Sequence, residues 1–167
     1  MVVYDTIIER FMEILLFPYS HQDLLPSLIP VIVGLFVLEF YFGRYKREEL
    51  GWNTAVGNAT MLVTTALTLI YQLELYLAPT SNEALVALFI LGFGGLMLTL
   101  NFYHVWPKIV AFNISSAFTV YALVYVTMAL TYSDVPIDTN TLAAAGLFFF
   151  ALAMFFRTIQ SMQDTVY

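Results

Sequence analysis

Five apolar runs, each long enough to cross a lipid bilayer, restrict the fold of this chain more than any other feature. They cover about residues 25–43, 52–77, 84–105, 109–132 and 141–156. A run of this length in hydrocarbon must satisfy its own backbone N–H and C=O groups, and a helix does so within one segment. Composition agrees: 60% of the 167 residues are hydrophobic and 11% charged, with mean hydropathy +0.81, against about a quarter charged in soluble domains. The expected fold class is an all-α membrane protein, a five-span up-and-down helical bundle filling one domain. The short polar connectors between runs make neighbouring helices antiparallel.

Charge sets the expected orientation. Arg44, Lys46 and Arg47 follow the first run, Lys108 the third and Arg157 the fifth, so a five-span chain gathers all five on one side. The opposite loops carry Asp23, Glu83, Asp134 and Asp138 and no Lys or Arg. The positive-inside rule then places the N-terminus outside and the C-terminus inside, leaving Arg10 as the only basic residue on the far side. The multi-pass protein is expected in the cell membrane, and its first residues show no basic-then-apolar cleavable signal.

Ahead of the spans, residues 4–17 read as an amphipathic interfacial helix. Val3, Ile7, Ile8, Phe11, Met12, Ile14 and Leu15 share one face, and Asp5, Thr6, Glu9, Arg10 and Glu13 the other. Thr6 with Glu9 fits a capping box, and Pro18 ends the helix. Such a helix lies in the membrane interface, docks on a partner, or packs on its own bundle.

The second span is unlike the others. On a helical wheel Asn53, Thr54, Gly57, Asn58, Thr60, Thr64, Thr65, Thr68, Tyr71 and Gln72 share one side. Leu62, Val63, Ala66, Leu69, Ile70, Leu73 and Leu77 share the other. The apolar half is expected to meet lipid and the polar half to meet water or protein. Threonines that bond back to their own helix, and small residues that permit close packing, give the same pattern without a ligand. The letters Thr54-Ala55-Val56-Gly57 resemble a potassium-selective loop, but unbroken helical periodicity follows and the final Tyr-Gly is missing.

A polar layer recurs near the basic side. Glu39, Asn58, Asn101 and Asn113 come from four different spans and lie roughly 7–10 Å below that boundary at about 1.5 Å per residue. His104 stands just above them with Arg44 and Lys108. An ionisable residue inside a span is costly and marks a functional site by default, which singles out Glu39 for proton coupling or cation binding. Glu39 near a helix end also snorkels or pairs with Arg44, and membrane asparagines also serve as hydrogen-bonding glue.

Several function classes are excluded or disfavoured. No cysteine is present, which removes disulfides, thiolate metal sites and cysteine nucleophiles, and a net charge of −6 does not suit nucleic acid. No catalytic motif, metal site or cofactor site is evident. The expected function is a small channel or transporter subunit, oligomeric because one protomer has few helices to enclose a path. Its lining would come from Glu39, Asn53, Gly57, Asn58, Thr60, Thr64, Thr68, Asn101, His104 and Asn113. The alternatives are a non-transporting scaffold or subunit of a larger membrane complex and, third, a lipid-headgroup enzyme using Glu39 and His104. Expected partners are membrane lipids, and further copies of the chain or another membrane protein.

Overall fold

The computed structural model describes residues 3–45, 47, 50–133 and 135–163. Lys46 and Asp134, which entered the charge reading, lie outside the described residues, as do the side chains of Val3 and Asp5. Among the described residues there are eight α-helices and no strand: α1 (Val3–Leu15), α2 (Phe17–Ser20), α3 (Leu25–Arg44), α4 (Trp52–Gln72), α5 (Asn82–Phe102), α6 (Lys108–Ile114), α7 (Ala117–Tyr132) and α8 (Thr139–Ser161). Five helical segments are long and apolar enough to cross a membrane: α3 with the turn before it, α4, α5, α6 with α7, and α8. Arg44, Lys108 and Arg157 lie toward one end of the bundle, called here the basic end, and Asp23, Glu83 and Asp138 toward the other, acidic end.

The helix α7 is the central post. Most of its side chains are buried, including Val120, Val124, Tyr125 and every residue from Val126 to Thr131. It contacts α1, α3, α4, α5 and α8, while α4 pairs most extensively with α5, and α1 with α8. Ala55, Ala59 and Ala66 of α4 leave room for that close pairing, and Gly94 of α5 completes it. A Cβ on Gly94 would lie 2.9 Å from Leu62 Cβ and 3.2 Å from the Val63 backbone nitrogen. Gly92 and Gly95, in the same small-residue run, have no such neighbour within 4 Å.

Four of the five spans differ from the sequence expectation, each for a local reason. The second span stops at Gln72 rather than 77, because Glu74 takes a left-handed conformation (φ 50°). Leu75 then turns inward to pack against Ala84 and Ala87. The third stops at Phe102 in a Schellman turn: the His104 N–H bonds the Asn101 carbonyl at 3.2 Å and the Val105 N–H the Leu100 carbonyl at 2.9 Å. The fourth is not continuous but broken at Ser115–Ser116 into α6 and α7. Ser116 restarts the helix as its N-cap, its hydroxyl accepting from the Thr119 N–H at 3.2 Å. The fifth starts earlier, where Asp138 caps the Thr141 N–H at 2.9 Å, and runs on to Ser161.

The helix α1 belongs to the bundle. Ile14 and Phe17 join the central core, with Ile7 and Phe11 packed against it, while Ile8, Met12 and Leu15 remain exposed. The Tyr125 hydroxyl donates to the carbonyls of Ile14 (2.9 Å) and Leu15 (3.3 Å), satisfying acceptors at the end of α1 that have no helical partner. Tyr125 lies seven residues before Tyr132 in α7, so α1 ends about 10 Å inside the bundle from the acidic end.

Candidate functional site

The polar layer of the sequence divides into two structures at one depth. The first is a clamp. Asn58 Nδ2 donates to the Ser115 carbonyl at 2.7 Å, and Asn101 Nδ2 donates to Ser115 Oγ at 2.8 Å and to the Ala55 carbonyl at 3.2 Å. Trp106 Nε1 donates to Asn101 Oδ1 at 2.8 Å. Asn101 and Ser115 are fully buried, and Asn58 nearly so. Four hydrogen bonds therefore tie α4, α5 and the loop after α5 to the helix break. The carbonyl and hydroxyl that the break releases are the ones taken up.

The second structure is a chamber of about 570 Å³ between α3 and the α6–α7 break. Glu39 lines it from α3, Lys108 and Asn113 from α6, and Ser116 from the break, with Phe42, Phe112 and Phe118 among its apolar walls. Glu39 Oε2 accepts from Gln160 Nε2 of α8 at 3.0 Å, and the same nitrogen lies 3.2 Å from the Glu39 carbonyl. The backbone N–H of Phe118, in the first turn of α7, lies beside the carboxylate. That N–H has no helical partner and sits at the positive end of the α7 dipole. The break in the fourth span thus serves Glu39 directly: a continuous helix would offer no free N–H there.

Gln160 reaches Glu39 because α3 and α8 approach closely at Gly43, where a Cβ would lie 2.7 Å from Gln160 Cγ. Lys108 Nζ stands 5.5 Å from the centre of the Phe112 ring. Asn113 Nδ2 bonds back to the Ile109 carbonyl at 2.7 Å.

Apart from Asn58, the polar face of α4 forms neither structure. Asn53, Gly57, Thr60, Thr64 and Thr68 are exposed on the surface of the protomer, and Leu62, Ala66 and Leu69 on the opposite side are buried. This reverses the expectation that the apolar half of the span meets lipid. The reason is local satisfaction. Thr60 Oγ1 bonds the Val56 carbonyl at 2.8 Å and Thr64 Oγ1 the Thr60 carbonyl at 3.0 Å, so these hydroxyls need no partner helix. Asn53 likewise accepts from the Thr54 N–H next to it, at 2.9 Å. Thr64 and Thr68 border a smaller recess of about 170 Å³ with Ser27 of α3 and Tyr132 of α7. Tyr132 closes its acidic end through a 3.1 Å hydrogen bond to Gln72.

Of the residues expected to line a path, the structure brings Glu39 and Asn113 to the chamber, and buries Asn58 and Asn101 in the clamp. His104 is exposed, with its ring stacked on Trp52 at 4.2 Å, and does not border the chamber. A Glu39–His104 pair for headgroup chemistry is therefore not assembled. Ser115, Phe118 and Gln160 were missed. Ser116, a residue type favoured as an N-cap, lies in the middle of an apolar run and is the sequence signal by which the break could have been found. Among the described residues no group of three or more metal-ligand side chains converges. No known protein family, curated protein or solved structure matches the chain, so its function rests on the chemistry of this site alone.

Proposed function

We propose that this protein is a small channel or transporter subunit of the cell membrane, oriented with its N-terminus outside, and that Glu39 is the coupling or binding group of an inner-side chamber. The chamber itself carries the reading. A carboxylate inside a span, facing a cavity and held at the start of a broken helix, is the arrangement by which transporters present charge at membrane depth. In this reading the basic end of the bundle faces the cytoplasm.

The exposed α4 face favours oligomerisation. Gly57, Thr60, Thr64 and Thr68 form a stripe of small residues on which a second copy packs closely, and the helices it adds help to enclose a path. The same stripe supports the scaffold alternative, in which a different membrane protein docks there.

Purified protein in liposomes is expected to move small charged solutes, and Glu39→Gln to lower that flux about tenfold or more while the fold persists. Absence of flux from the unaltered protein, together with a fixed stoichiometric partner in native pull-downs, would overturn transport in favour of the scaffold. Orientation has its own test, because the chain has no cysteine. A cysteine at Glu83 is expected to react with an impermeant maleimide from outside intact cells, and one at Arg157 only after lysis.

A further inference from the structure

We infer that a solute path runs inside the protomer, along the seam between α3 and α7, and that the Tyr121 ring closes it against Gly34. This deepens the transport reading and rests on it for what passes. The seam holds two cavities, the chamber at the basic end and the recess of about 170 Å³ toward the acidic end. On α7, Ala117 borders the chamber and Val124 and Met128 border the recess. Tyr121 falls between them on the same helical face. On α3, Glu39 borders the chamber and Val31 the recess, with Gly34 between. Ala117 and Val124 are about 10 Å apart along the helix axis, and the Tyr121–Gly34 contact lies within that interval.

The contact is close, and a glycine allows it. A Cβ on Gly34 would collide with Tyr121 Cε1 and lie 3.1 Å from Cζ. The ring therefore occupies the space that a side chain at position 34 would take. It is otherwise loosely held. Of the three tyrosines on α7, Tyr125 donates to the Ile14 and Leu15 carbonyls and Tyr132 to Gln72. The Tyr121 hydroxyl has no hydrogen-bond partner among the described residues. A half-buried phenol of this kind is satisfied by water and turns about its side-chain torsions without breaking a bond to the protein. The facing helix is weakly braced at the same place. Pro30, one turn before Gly34, lacks the N–H that would bond the Pro26 carbonyl.

The recess suits water. Ser27, Thr65, Thr68 and Gln72 line it with hydroxyls and an amide, and its volume far exceeds the roughly 10–15 Å³ that one water needs. Polar space on both sides of one aromatic contact is the layout by which a pore closes at a narrow apolar point.

The test is sided cysteine labelling, for which the chain supplies no background thiol. Ser27→Cys places a reporter in the recess of the full chain. A small impermeant thiosulfonate is applied to membrane vesicles that expose the basic end, with glutathione in the lumen to quench any that leaks. The reporter is expected to label slowly with Tyr121 in place and equally slowly in Tyr121→Phe, but about tenfold or more faster in Tyr121→Ala. Gly34→Leu added to Tyr121→Ala refills the space with an apolar side chain and is expected to restore slow labelling. Circular dichroism checks that each variant is folded, and Tyr121→Leu, a milder truncation, carries the same expectation if Tyr121→Ala is not. The inference is overturned if the reporter labels at one rate with and without the ring. It is overturned equally if Tyr121→Phe labels as fast as Tyr121→Ala, or if the folded double variant stays fast. Labelling governed by Tyr121 without liposome flux would sink transport and spare the constriction, whereas flux with labelling indifferent to Tyr121 would do the opposite.

Discussion

The clamp and the chamber occupy one depth and draw on the same kinds of residue, yet they do opposite things. In the clamp, the Asn58 and Asn101 amides, the Ser115 hydroxyl and carbonyl and the Trp106 indole satisfy one another without a cavity between them. In the chamber, Glu39 is paired on one side by Gln160 and α7 and faces open space on the other. The difference teaches that polarity inside a span marks function only where pairing stops short of completion. A fully paired polar group in a low-dielectric setting is structural, and a partly paired one bordering a cavity has capacity for a ligand. Both regions depend on the break at Ser115–Ser116. The clamp absorbs the groups released on one side of it, and the chamber uses the N–H group released on the other.

Substitutions separate the two regions by the size of their effect. Asn101→Ala should be the most damaging, because it strands the part-buried Trp106 Nε1 and removes the donor to Ser115 Oγ together. A loss of about 3 kcal/mol is expected in thermal or denaturant unfolding in detergent. Ser116→Ala removes the α7 cap and should cost about 1 kcal/mol. It should also weaken the chamber, since the Phe118 N–H that meets Glu39 is two residues into the helix so capped. Asn113→Ala should cost less than about 0.5 kcal/mol, its amide bonding only back along its own exposed turn. If Asn113→Ala proves as destabilising as Asn101→Ala, the division into clamp and chamber fails.

Acid probes the same division more gently. None of the four clamp side chains is ionisable near neutral pH, whereas α8, which carries Gln160 to Glu39, is capped by Asp138. The Thr141 backbone N–H above all, then the Asn140 N–H and the charge of Arg10, hold the Asp138 carboxyl below the usual carboxylate range. A pKa lowered by folding contributes stability that is complete above the unfolded value of about 3.9 and is lost as pH falls through the lower folded value. Melting temperature should therefore decline below about pH 4, and Asp138→Asn should flatten the part of that decline due to this cap. The shift is small because Asp138 is exposed to solvent. An unchanged acid profile in Asp138→Asn would remove the cap from the account.

Much of the architecture was legible in the residues, and the reasons are local. Apolar length located the five spanning segments, since the bilayer sets that length whatever the packing. Ser81 and Asp138 set helix starts that apolar length alone had placed two residues later, through side chains that bond N–H groups three residues on. The left-handed ends at Glu74 and His104 were not legible, because neither residue is the glycine usual at that position. The α4 reading inverted for a related reason. A helical wheel separates the two faces correctly but does not say which one is covered. Alanines at 55, 59 and 66 opposite Gly94 made the apolar face the better packing surface, and back-bonded threonines could be left outside.

By itself, then, the sequence determined a bundle of membrane-length helices, a charge difference between its two ends and a layer of polar residues at one depth. Each of these follows from composition, periodicity or rise per residue, which need no knowledge of neighbours. Tertiary structure alone decided which members of that layer are fully paired and which border a cavity. Asn58 and Asn113 are both asparagines on apolar helices near the same boundary. One faces a carbonyl released by a broken helix 57 residues away in the chain, and the other faces a cavity beside a carboxylate. Whether a polar group is paired depends on what lies across from it, and only the packed helices specify that.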